Sequence, residues 1–301
     1  MADSPLSRLF MNADAQHIFK QAQQWLRQEQ AWDSQLYEGG NGRGGEREKN
    51  LLINKTAVAP HPPLTPSPTP SLPSERHAAL QALYSEYKDC VRCPLGPSRI
   101  RFVFGVGNPT AKVMFIGEGP GYEEDRRGEP FVGKAGQLLD KMMASIGLSR
   151  QTNAYIANIV KCHPMTDPST PDARANDRPP TPEEVATCSP ILLRQIAVIQ
   201  PKVIVTLGSP STKMMLKTAE GISKIRGRLV PFAVDAFYPE TGDSANDSAP
   251  PLVDAKTRDA LRVIQVLPTY HPAALLRNPN LKVDAWTDLK LLRDTFLKTA
   301  V

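Results

Sequence analysis

Four cysteines carry the strongest chemical signal in this chain. Cys90 and Cys93 form a C-x2-C pair, a spacing that lets one short turn present two thiolates to a single centre. Cys162 and Cys188 follow, with no cysteine left over. All-sulfur ligation serves either Zn²⁺ or an iron–sulfur cluster, and spacing does not choose between them. The plainer readings are four independent buried cysteines, or a redox dithiol at the C-x2-C, although nothing around that pair resembles a thioredoxin-like unit. In a chain of 301 residues a scaffold of disulfides is a poor reading.

Three other places carry polar groups at the ends of apolar runs. Gly117-Glu118-Gly119-Pro120-Gly121 follows KVMFI, where glycines permit a tight turn and bring backbone N–H groups close to a ligand. A dinucleotide-binding turn needs its helix to begin at once; here Pro120 and the charged run 122–129 intervene before PFVGKAG. Asn158 lies toward the end of the run AYIANIV, ahead of Lys161-Cys162-His163-Pro164, and a carboxamide in such a run must find hydrogen-bond partners or cost stability. It offers a donor and an acceptor side by side; a structural asparagine tying two loops is the bland alternative. His271 follows VIQVLPTY and precedes Pro272, a position that suits catalysis as well as a satisfied structural histidine. His163, next to Cys162, reads as a surface residue beside the cysteine site.

These groups need elements to hold them. Apolar runs at 112–116, 154–160, 203–207 and 263–267 read as strands. Helical patterns at 75–88, 137–146, 191–199, 212–216 and 285–297 alternate with them. Val- and Ile-rich strands separated by helices predict an α/β fold: a three-layer α/β/α sandwich with a central, mostly parallel four-stranded sheet. Function in such sheets gathers at the carboxyl ends of the strands, where all three dressed runs end.

The chain has 36 Lys+Arg against 31 Asp+Glu, a mild basic excess compatible with nucleic acid but shared by many enzymes. No uninterrupted apolar run reaches a membrane span, and the first residues lack the order of a secretory signal. Twenty-nine prolines are about double the usual share, and seven of them fall between Pro60 and Pro73. Residues 1–34 hold an amphipathic helix pattern at 12–31 that suits weak docking or partner binding. Residues 35–75, with GGNGRGGE and then alternating prolines, read as a disordered tether, and 239–253 as a polar surface insertion. The catalytic-sized domain is 76–301.

Over residues 80–298 the sequence resembles the iron–sulfur uracil-DNA glycosylases, the family 4 type. The resemblance lies in GNPTAKVMFIGEGPGYEEDRRGEPFVGKAGQLLDKMM, NIVKCHP, QIAVIQPKVIVTLGSP, ISKIRGR and PTYHPAALLRNP, in that order. It implies a [4Fe–4S] cluster on Cys90, Cys93, Cys162 and Cys188. It also implies hydrolysis of the N-glycosidic bond of uracil in DNA, giving free uracil and an abasic site. By position, Glu118 and His271 become catalytic, the first placing water or stabilising charge and the second stabilising the leaving uracil anion. Phe131 stacks on the base, Asn158 reads its polar edge, and Gly117 and Gly119 complete the uracil site. Lys134 and Arg277 face DNA, with Leu275 as the wedge entering the base stack. A cytoplasmic monomer is implied, in the bacterial cytoplasm or nucleoid, with uracil-containing DNA as its partner and room for a protein partner on the N-terminal extension.

Three departures or gaps accompany the resemblance. Gly119 stands where the best-known uracil glycosylases carry a water-activating Asp, which leaves the general base open. The interval between Cys162 and Cys188 carries DPSTPDARAND, about ten residues beyond the usual length, a change loops absorb at little entropic cost. No KRRIH-type insertion is present, so turnover is expected rather than a trapped adduct. Exclusion of thymine falls to Tyr122 or to Glu123, Glu124 and Asp125. The competing functions are a non-catalytic iron–sulfur DNA-binding module and a hydrolase of free uracil nucleotides. Leu275 with Lys224, Arg226 and Arg228 favours polymeric DNA over the latter.

Overall fold

The computed structural model describes residues 73–238 and 253–297 of the chain. The helix pattern at 12–31, nearly all of the tether and of the 239–253 insertion lie outside the described residues. The first helix, α1 (Pro73–Tyr87), takes its opening residues from the end of the stretch read as tether. A short α2 (Leu95–Ser98) follows the C-x2-C turn.

Six strands form one sheet: β1 (Val106–Gly107), β2 (Val113–Gly117), β3 (Ala154–Asn158), β4 (Val203–Leu207), β5 (Val230–Pro231) and β6 (Gln265–Thr269). Their order is β1-β3-β2-β4-β6-β5. The four inner strands are parallel, and the two-residue strands at the edges run antiparallel to β3 and β6. The expected four-stranded parallel sheet is therefore present, lengthened by one short strand at each edge. Every residue of β2, β3 and β4 is buried, as strands covered on both faces require. Pro268 sits in β6 beyond the two-residue partner β5, so its missing N–H breaks no ladder bond on that side.

Between the strands run α3 (Tyr122–Arg127), α4 (Lys134–Ala144), α5 (Pro182–Ile199), α6 (Ser209–Leu216), α7 (Ile222–Ile225), α8 (Ala255–Leu261), α9 (Pro272–Arg277) and α10 (Lys282–Leu292). On one face α1, α5 and α8 share a core with Met114, Ile116, Ile204 and Val266. On the other, α4 packs on α9 and α10 on β6, over Phe115, Val205 and Leu267. The longest helix, α5, starts with a capping box: the Thr181 hydroxyl accepts from the Glu184 N–H at 3.2 Å, and Glu184 accepts from the Thr181 N–H at 2.7 Å. No helix among the described residues is long and apolar enough to cross a membrane.

The chain leaves β2 for β3 on one side and leaves β4 for β6 on the other. The crevice at the carboxyl ends of β2 and β4 is thus the point where the winding reverses, the usual ligand position in open α/β sheets.

Candidate active site

A cavity of about 370 Å³ opens at those carboxyl ends. Glu118 and Gly119 enter it from the loop after β2, Asn158 from the end of β3, Phe131 from the loop before α4, and His271 from the end of β6. The sequence spreads these residues over 154 positions; the parallel strand ends bring them together.

Asn158 is 1% exposed, and its Oδ1 has no hydrogen-bond partner among the described residues. A buried amide oxygen left unpaired costs about 1–3 kcal/mol, so this acceptor is set for a ligand donor. Gly117 must be glycine here, since a Cβ would lie 2.5 Å from Asn158 Oδ1 and 2.5 Å from Phe131 Cζ. Phe131 holds a left-handed backbone conformation, φ 55°, unusual for an aromatic residue. Arg150, buried at 7% exposure, fixes it by donating to the carbonyls of Pro130 at 2.8 Å and Phe131 at 2.7 Å while pairing with Asp140. The Phe131 ring lies 5.5 Å from the His271 ring, tilted by 34°.

His271 is the N-cap of α9, and its Nδ1 accepts the Ala273 N–H at 3.1 Å. Burial first, and the charge of Arg277 second, lower its pKa to about 4. The ring is therefore neutral near pH 7, and with Nδ1 accepting, the proton is on Nε2. Burial raises the Glu118 carboxyl above the ordinary carboxylate range. Glu124 is occupied otherwise: it accepts from the N–H groups of Val132, Gly133 and Gly121 at 2.8, 2.9 and 3.2 Å, tying the glycine loop to the Phe131 loop.

Behind His271, Asp288, Thr269 and the half-buried Arg226 hold β6. Asp288 accepts from the Thr269 hydroxyl at 2.7 Å and pairs with Arg226 at 2.6 Å, and Arg226 lies 5.3 Å from the Tyr270 ring centre. Arg226 was expected to offer its charge to DNA; its ion pairs with Asp288 and Asp284 withdraw it, while Lys224 and Arg228 remain exposed.

Several expectations need correcting. Leu275 is 0% exposed, so a wedge role conflicts with its place inside the α4–α9 contact; its neighbour Leu276 is 43% exposed on the same helix. The cause is helix phase, because consecutive residues of a helix point about 100° apart. His163 is a buried residue, 1% exposed, rather than a surface one. Its Nε2 lies 2.6 Å from Asp177 and its Nδ1 3.8 Å from Asp125. Burial works against its charged form, but hydrogen bonds and charges of Asp125 and Asp177 raise its pKa to about 9. Of the 122–125 run expected to exclude thymine, only Glu124 lines the cavity. Tyr122 lies beneath Arg126 and Arg174, and Asp125 accepts from the backbone of Ile100 and Arg101. Pro164, Asp177, Arg178, Pro179 and Pro180 also line the cavity. Lys134 and Arg277 are exposed at the start of α4 and the end of α9, outside the cavity wall.

The thiols meet on the α1–α5 side. Each of Cys93, Cys162 and Cys188 is raised by burial, the second to about 12 and the third to about 11, and each feels the charge of other cysteines in the group. Donors surround them: the Lys161 N–H points at Cys188 Sγ at 3.3 Å, and Arg99 Nη1 at Cys162 Sγ at 3.7 Å. Lys161 is itself fully buried, donating to the Asn158 carbonyl at 2.9 Å and to Gln195 Oε1 at 2.7 Å. Sulfurs gathered with N–H donors and cations suit anionic thiolates that neutral burial disfavours. Among the described residues no three His, Cys, Asp or Glu side chains converge closely enough for one metal ion.

Sequence reasoning missed Arg150, Lys161 with Gln195, Asp288 and the His163–Asp177 pair. Polar residues inside apolar patterns, as in QIAVI, were the available signal for Gln195; nothing local marked Arg150, whose partners are 19 and 20 residues away.

Comparison with known proteins places this geometry in a wider group. The profile of the Uracil DNA glycosylase superfamily matches residues 104–290. A type-4 uracil-DNA glycosylase of Sulfurisphaera tokodaii is 38% identical over 221 residues, covering 72% of this chain and 84% of that protein. That of Archaeoglobus fulgidus is 35% identical over 216 residues, 70% and 90% of the two chains, and that of Thermotoga maritima 36% over 204, 67% and 86%.

Proposed function

Because the chain belongs to the uracil DNA glycosylase superfamily, we propose that it hydrolyses the N-glycosidic bond of uracil in DNA and starts base-excision repair. The unpaired Oδ1 of the buried Asn158 carries this reading, since it asks for a planar ligand with a donor such as the uracil imide N–H. A base must leave the stack to reach such a cavity. The volume of about 370 Å³ is at the small end of ligand sites, in keeping with one nucleobase.

In this reading Phe131 stacks on the extruded uracil and Asn158 reads its edge. The Nε2–H of neutral His271 donates to uracil O2, where negative charge grows as the bond breaks. A donor already in place stabilises that charge without reorganising. The sugar becomes oxocarbenium-like, and Glu118, ionised, offsets its positive charge or orients the water that attacks the sugar carbon. Exposed Lys134 and Arg277 contact phosphates. The wedge falls to Leu276, the exposed leucine of α9.

Cys90, Cys93, Cys162 and Cys188 fit a [4Fe–4S] cluster. The Lys161 N–H on Cys188 Sγ and Arg99 on Cys162 Sγ are donors of the kind that hold cluster thiolates. When bound it supplies structural cross-linking, because glycosidic hydrolysis transfers no electrons. The protein acts as a cytoplasmic monomer.

The test is uracil release from a labelled oligonucleotide carrying one uracil, with a thymine control, beside His271→Ala and Asn158→Ala. Uracil-specific abasic sites that vanish in both variants are expected. Wild-type protein that holds iron, binds DNA and releases no uracil would leave a binding module instead.

A further inference from the structure

A second concavity, of about 640 Å³, lies between α1, the 101–109 segment and the end of α3, and the reaction above makes no use of it. Tyr84 is 43% exposed at its surface. Its ring stands edge-on to Phe104, with centres 5.7 Å apart, and 6.3 Å from Phe102; those two rings, nearly buried, form the floor. Lys88, Arg101 and Arg127 are exposed around it. Lys88 has Asp89 at 4.0 Å, whereas the side chains of Arg101 and Arg127 have no ion pair among the described residues.

An exposed ring on an apolar floor with unpaired cations at the rim is the combination that binds single strands: stacking takes the base, and guanidinium groups take the phosphates. We propose that this groove holds the stretch of the substrate strand beside the extruded uracil, with one base on Tyr84 and phosphates on Arg101 and Arg127. The path between the two sites is short. Helix α3 begins at Gly121 in the wall of the base cavity and ends at Arg127 and Gly128 in the groove. Six helical residues span roughly 9 Å, about two to three nucleotides at the 3.4 Å rise of a stacked strand. The charge also selects the occupant. Residues 1–72 of this chain carry seven Lys+Arg and seven Asp+Glu, so that segment offers no net charge to meet the rim, while a polyphosphate does.

The proposal rests on the glycosylase reading, and the two fail separately in one experiment. Full-length protein, Tyr84→Ala, Tyr84→Phe and the double variant Arg101→Gln/Arg127→Gln are titrated by fluorescence anisotropy with a uracil-free single-stranded 15-mer. Uracil release is measured in parallel. Loss of one stacked base weakens binding by about tenfold in Tyr84→Ala, with Tyr84→Phe at wild-type affinity. Loss of two phosphate contacts lowers the slope of log K against log salt by about 1.4 in the double variant. Affinities within twofold and an unchanged slope overturn the groove, whether another strand path or the chain's own N-terminal segment is responsible. Wild-type protein that releases no uracil overturns the glycosylase reading, and the groove is then judged on the uracil-free strand alone.

Discussion

One added methyl group tests the construction of the base cavity. In Gly117→Ala the new Cβ falls 2.5 Å from both Asn158 Oδ1 and Phe131 Cζ, where contacts below 3.0 Å are essentially never found. Something must yield by about half an ångström or more. Phe131 cannot retreat through its backbone, because Arg150 grips its carbonyl and that of Pro130, and Gly136 packs directly beneath it. Asn158 is fixed at the end of β3 opposite Gly117, where the next residue, Ile159, donates its N–H to the Gly117 carbonyl at 3.0 Å. The displacement therefore goes into the two side chains meant to stack on the base and to read it. Misplacement of this order costs about 10²-fold in rate, and overpacking a tight site destabilises by about 1–3 kcal/mol. Single-turnover uracil release and thermal unfolding measure the two effects, with Gly221→Ala as control because its Cβ meets nothing within 4 Å. A Gly117→Ala protein whose rate stays within threefold of wild type would show that Asn158 and Phe131 are not the groups that hold the base.

Four further outcomes follow from the structure. Arg150→Met strands two buried carbonyls and frees the left-handed Phe131 backbone, lowering stability by about 2–4 kcal/mol in denaturant titrations and lowering the rate as well. His271 is neutral in the fold with a pKa of about 4, against about 6.5 when unfolded. Its contribution is complete above pH 6.5 and is lost as pH falls toward 4, a change on the order of 3 kcal/mol; His271→Gln flattens that part of the stability–pH curve. Activity should likewise fall on the acid side as the ring gains its proton, with Glu118 adding a limb above the ordinary carboxylate range, seen in kcat/KM profiles of wild type and Glu118→Gln. On the proposed cluster, removal of iron by a chelator, or Cys162→Ala, takes away its cross-link between the N-terminal turn and the segment after β3, so visible absorbance and melting temperature fall together.

The parallel sheet was legible because buried strands are written as uninterrupted apolar runs, and VMFIG, AYIAN and VIVTL are such runs. Asn158 was legible for the same reason, as the one amide at the end of one of them. The two-residue edge strands leave no periodicity to read. The burial of Leu275 was not legible because a six-residue helix fixes its phase only through its neighbours: Leu275 is buried and Leu276 meets solvent. His163 and Arg226 look in sequence like surface charges, and only the acids folded against them, Asp177 and Asp288, turn them inward. Pairs of that kind are set by the topology, at separations no local pattern records.

The unpaired oxygen of Asn158 has one more effect. An acceptor that waits for an imide N–H does not distinguish a base still attached to its sugar from one just released, and free uracil carries the same imide. The stacking ring, too, is indifferent to the bond that has been cut. In the proposed function, the contacts that capture the damaged base thus retain the product after hydrolysis, leaving the cavity to clear by dissociation before the enzyme can inspect the next lesion.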